Sequence, residues 1–135
     1  MRPLLVSLFG ILALAWNGRH PAAPETVQVQ VNLHCSAPGE NSYAVDPDTA
    51  RLAQGDELEW LLDDSATTLE LTITPKQPEW PFADSVRYHG NKQKPAHAKK
   101  MKPNQRGKHF GYAVQMICNS GSSDTVTIDP QIIVH

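Results

Sequence analysis

Only two of the 135 residues are cysteine, Cys35 and Cys118, so one bridge is the most that sulfur can contribute inside the chain. No apolar run reaches the roughly 20 residues that a helical membrane span needs. The longest, residues 4–12 (LLVSLFGIL), stops short of Asn17 and Arg19. Outside that run no segment carries a helical period of hydrophobic residues. Catalytic signatures are missing as well. Ser65, Ser85 and Ser122 have no nucleophile context, and the adjacent Asp63 and Asp64 would point to opposite faces of a continuing strand. The expectation is a protein that is not an enzyme. The net charge of −2 says nothing about partners on its own.

What is present begins with export. Arg2 supplies a positive n-region, residues 4–12 a short apolar core, and Ala13-Leu14-Ala15 a small-x-small cleavage pattern. Residues 1–15 therefore read as a signal peptide and 16–25 as a flexible leader. Residues 26–135 read as one domain, periplasmic or extracellular, with no transmembrane span in the mature form.

Strict alternation marks the strands. Val27, Val29, Val31, Leu33 and Cys35 share one face of residues 26–35, against Gln28, Gln30, Asn32 and His34. Leu58, Trp60 and Leu62 repeat the pattern, as do Leu69, Leu71 and Ile73 with Glu70, Thr72 and Thr74 expected in solvent, and then Phe110, Tyr112, Val114, Met116 and Cys118. Shorter strands are expected at 42–45, 49–53, 125–128 and 131–134. Gln54-Gly55-Asp56 and Asp46-Pro47-Asp48 read as turns. Short strands at near-regular spacing predict an all-β sandwich of about seven strands.

Residues 76–108 interrupt this rhythm. They are Pro- and Lys-rich and carry nine bases against Glu79 and Asp84, whereas residues 25–70 carry ten acids against Arg51. The expectation is one long basic loop insert, mobile from residue 90 onward. Trp80, Phe82 and Tyr88, with Lys99, Lys100 and Lys102, are its candidate ligand- or anion-binding residues. An anionic surface or another exported protein is the expected partner. No nucleic acid and no cofactor are expected.

Both cysteines fall in phase with inward apolar neighbours at the ends of their strands. In an oxidising compartment this predicts a Cys35–Cys118 disulfide, with two buried free thiols as the alternative. A type 1 copper centre would need a His and a Met after the cysteine. Cys118 is followed by Asn119, Ser120, Gly121, Ser122, Ser123 and Asp124, so no such centre is expected. The alternative is a copper carrier or electron-transfer protein using His89, His97, Met101 and His109.

Two stretches resemble cupredoxin-like domains. Residues 54–60 (QGDELEW) are similar to the strand entry in which a Gly turns the chain and a Trp packs between sheets. Residues 109–119 (HFGYAVQMICN) are similar to the aromatic-rich strand before the copper cysteine. Trp80-Pro81-Phe82 and the ending at 127–134 resemble small exported bacterial proteins that share this fold without an assigned activity. The resemblance implies a Greek-key β-sandwich with its copper ligands missing.

Overall fold

The computed structural model describes residues 23–34, 42–63, 70–117, 123–126 and 130–135. The expected signal peptide, most of the leader, and Cys35 and Cys118 lie outside the described residues.

Among the described residues ten strands form two mixed sheets. The first has the order β2-β1-β4-β7, made of β1 (Thr26–His34), β2 (Ser42–Asp46), β4 (Glu57–Leu62) and β7 (Ala96–Ala98). The second has the order β3-β10-β8-β5-β6, made of β3 (Thr49–Leu52), β5 (Glu70–Pro75), β6 (Tyr88–Asn91), β8 (His109–Ile117) and β10 (Gln131–Val134), with β9 (Ser123–Val126) also on β8. β1 runs parallel to β4 and β10 parallel to β3, while the other pairings are antiparallel. The all-β sandwich expected from alternation is the fold.

The inward sets meet between the sheets. Val29 and Val31 of β1 and Leu58, Trp60 and Leu62 of β4 face Leu71 and Ile73 of β5 and Phe110, Tyr112, Val114 and Met116 of β8. Trp60 lies at the centre of this core, with ring centroids 5.5 Å from Tyr112, edge to face, and 5.6 Å from Tyr88. Such tilted contacts suit the aromatic quadrupoles and add to the burial of large apolar area.

Three expectations need correction. The stretch 90–108, expected as a mobile loop, instead contributes to a strand of each sheet. β6 pairs with β5 and β7 with β4, so the chain between them passes from one sheet to the other. Gly90 permits the crossing, because a Cβ there would lie 2.5 Å from the Ala96 backbone nitrogen. Asn91 makes the turn, its Oδ1 accepting from the N–H groups of Gln93 and Lys94 at 2.9 and 2.8 Å. These two strands are why the count exceeds about seven.

Second, Thr72, expected in solvent, is buried and its hydroxyl lies 3.1 Å from His89 Nδ1.

Third, the disulfide staple is withdrawn. Among the described residues there is no cysteine pairing. β1 and β8, the strands that lead toward the two cysteines, belong to different sheets.

Candidate functional site

The basic run at residues 99–108 is the chemically distinctive surface, and its backbone is fixed at both ends. Residues 81–83 and 100–102 lie antiparallel. Ala83 N–H donates to Lys100 O at 2.7 Å, and Lys102 N–H donates to Pro81 O at 2.7 Å. Phe82 and Met101 form the bridge between them. Both turn toward the core, Phe82 fully and Met101 partly. Period two then sends Lys100 and Lys102 outward, and both are exposed. The Met101 sulfur accepts from Gly55 N–H at 3.2 Å, tying the segment to the turn before β4.

The following turn is held as closely. Gln105 is buried, its N–H donating to Gln54 Oε1 and its side-chain amide to Pro103 O, both at 2.8 Å. Gln54 Nε2 donates in return to Lys102 O at 2.8 Å. Gly107 N–H donates to Val134 O at 2.7 Å, and Val134 N–H to Lys108 O at 3.1 Å. Asn104 and Gly107 adopt φ of 60° and 83°, the left-handed conformations that Asn and Gly tolerate best. A preformed rim results. It carries Lys99, Lys100, Lys102, Arg106 and Lys108 in solvent, with no acid in the same ten residues.

The aromatic candidates have a different position. Trp80, Phe82 and Tyr88 are 4%, 2% and 5% exposed, so they support the surface from beneath. Trp80 Nε1–H donates to the Tyr88 hydroxyl at 3.2 Å, and that hydroxyl lies 3.0 Å from both Asp84 Oδ1 and Ser85 O. Burial holds the Tyr88 phenol well above the usual tyrosine range; the Trp80 bond opposes this and Asp84 adds to it. Asp84 Oδ2 accepts from Lys99 N–H at 3.1 Å. One carboxylate thus joins the loop around residue 85 to the start of the basic rim.

The alternative metal ligands do not converge. His89 is on the second sheet against Thr72. His97 is on the first, its Nε2 2.7 Å from Glu57 Oε2. Met101 is committed to Gly55, and exposed His109 begins β8, with its carbonyl receiving Gln77 Nε2–H at 3.3 Å. Among the described residues no group of three or more His, Cys, Asp or Glu side chains could hold a metal ion. The copper-carrier alternative is therefore corrected: β6 and β7 carry their histidines into separate sheets. Sequence spacing alone could not reveal that separation.

His89 also lines a hollow of about 330 Å³ with Glu70, Gly90, Asn91 and Lys94. Among the described residues no helix is long and apolar enough to cross a membrane. No protein-family model matches the chain, and no curated protein is significantly similar to it.

Proposed function

We propose that this protein is a non-catalytic, exported all-β module that engages polyanionic surfaces through Lys99, Lys100, Lys102, Arg106 and Lys108. The observation that carries this reading is the backbone clamp beneath these cations. The Phe82–Met101 bridge and the reciprocal Gln54–Gln105 bonds hold the rim before any partner arrives. A preorganised cationic surface loses less conformational entropy on binding than a mobile tail. It also draws anions from a distance at low ionic strength. Two mixed sheets with a Trp packed between them are compatible with the finer cupredoxin-like reading, which we retain as part of this proposal.

The test is retention of the protein on an immobilised sulfated polysaccharide during a salt gradient. Retention at low salt that weakens steadily as the Debye length shrinks is expected. Replacing Lys99, Lys100 and Lys102 together with Gln should shift elution to clearly lower salt. Failure to bind at low ionic strength would overturn the reading.

A further inference from the structure

Among the described residues one large hydrophobic side chain is left in solvent. Val86 is 81% exposed, at the tip of a loop whose backbone is fixed. Ser85 Oγ accepts from Arg87 N–H at 3.2 Å. Tyr88 and Asp84 secure the loop from below, and Asp84 binds the backbone of Lys99. Ala83, three residues before the tip, donates to Lys100 O. The loop that carries Val86 is therefore joined through Ala83 and Asp84 to the start of the basic rim, with exposed Arg87 as the neighbour of Val86 in sequence.

The surroundings of Val86 are apolar on one side. It forms a wall of a hollow of about 200 Å³ whose other walls include Pro75, Pro78 and Trp80. The hydrogen bonds of Ser85 and Tyr88 hold the loop in the conformation that leaves Val86 outward. An exposed valine on a rigid tip gains nothing against a purely aqueous polyanion. Next to cations at a bilayer it gains from entering the acyl boundary while the ammonium groups meet lipid phosphates.

We propose that the loop around Val86 is a membrane-docking tip: Val86 enters the headgroup–acyl boundary of an anionic bilayer while Lys99, Lys100 and Arg87 contact lipid phosphates. This rests on the polyanion reading above and narrows its partner to a lipid surface. Both contributions are needed, because one valine alone buries too little area for stable attachment and a few lysines alone are screened by salt.

The experiment compares the full chain with Val86→Ser, Val86→Leu and the double variant Lys99→Gln/Lys100→Gln. Each is measured by co-sedimentation with phosphatidylcholine vesicles, with and without phosphatidylglycerol, and by retention on the sulfated polysaccharide. Because position 86 is exposed and Lys99 and Lys100 are surface residues, all variants should fold, which circular dichroism checks. The expected result has several parts. Affinity for anionic vesicles falls about tenfold with Val86→Ser and rises with Val86→Leu. It falls about fivefold for each lysine removed. The two Val86 variants elute from the polysaccharide like the parent.

Vesicle affinity indifferent to both Val86 substitutions, with polysaccharide retention intact, would overturn the membrane tip and leave the polyanion reading standing. Loss of binding to both supports by the parent chain itself would overturn both. Equal binding to neutral and anionic vesicles would also overturn the inference, since the lysines would then have no part in it.

Discussion

Phe82 and Met101 face each other across an isolated antiparallel bridge, and that one contact turns a lysine-rich stretch into a fixed rim. Phe82 is 2% exposed, within an aromatic group whose Trp80 ring lies 6.0 Å away. Met101 packs at the margin of the same core. The cations on either side of Met101 are outward because Met101 is inward.

Truncating the inner partner should loosen the rim and the core together. Phe82→Ala is expected to cost about 3–5 kcal/mol, the range for deleting a buried aromatic side chain. Met101→Leu conserves volume and forfeits mainly the sulfur acceptor for Gly55 N–H, at a cost below about 1.5 kcal/mol. Urea denaturation of both variants would check this; equal midpoints for Phe82→Ala and the parent would show that the contact is not structural.

The crossing between the sheets depends on a missing side chain. At Gly90 a methyl group would meet the Ala96 nitrogen at 2.5 Å and Ala96 Cβ at 3.1 Å. Gly90→Ala should therefore separate β6 from β7 and lower the melting temperature by many degrees. Gly111→Ala is the matched control. There the nearest atoms are Lys76 Cδ and Cβ, at 3.7 and 3.9 Å, which is ordinary contact. Its melting temperature should stay close to the parent's.

Asp56 is a buried carboxylate that works as a cap. It is 8% exposed, with Oδ1 accepting from Glu25 N–H at 3.0 Å and Oδ2 from Ala53 N–H at 2.8 Å. Asp56→Ala leaves both donors without this acceptor and should cost about 1–3 kcal/mol. Asp56→Asn preserves one acceptor and should recover part of the loss. Hydrogen exchange at Ala53 provides a local readout, and its protection should drop in the alanine variant.

Alkaline pH should destabilise the fold in a defined window. Burial pushes the Tyr112 phenol up to about 12, with the Trp60 indole acting in the opposite direction and Asp48 in the same one. In the unfolded chain the phenol ionises near the ordinary value of 10.0. Above that value the unfolded state sheds a proton that the folded state keeps, so stability declines as pH rises toward 12. Below it no such loss exists. Tyr88, shifted in the same direction, adds to the effect. The melting temperature should fall steadily over this interval, and absorbance at phenolate wavelengths should rise late and with unfolding. Early, fully reversible ionisation of all three tyrosines without unfolding would contradict the burial of these two.

A good part of the fold was legible because period-two alternation is a direct record of burial. Val29 and Val31, Leu58 and Trp60, Leu71 and Ile73, and Phe110, Tyr112, Val114 and Met116 were readable as inward sets, and all of them are in the core. β6 and β7 escaped notice. Their inward residues after Tyr88 are Gly90, Ala96 and Ala98, which carry almost no hydrophobic signal. These positions are buried because two sheets approach there, and small residues are what such an approach admits. The rim escaped for a related reason. Its order comes from Gln54, Gln105 and Val134, which meet it from elsewhere in the chain.

By itself the sequence determined the all-β class, the inward faces of the long strands and the placement of positive charge after residue 76. Each of these follows from the order of side chains along the backbone. Only the tertiary structure decided that the histidines of β6 and β7 are in separate sheets, that Trp80, Phe82 and Tyr88 lie beneath the surface, and that Val86 is left in solvent on a loop bonded to the backbone of Lys99 and Lys100. Those relations join residues distant in sequence through hydrogen bonds and close packing. Their geometry exists once the two sheets have closed on one another, and no local pattern records it.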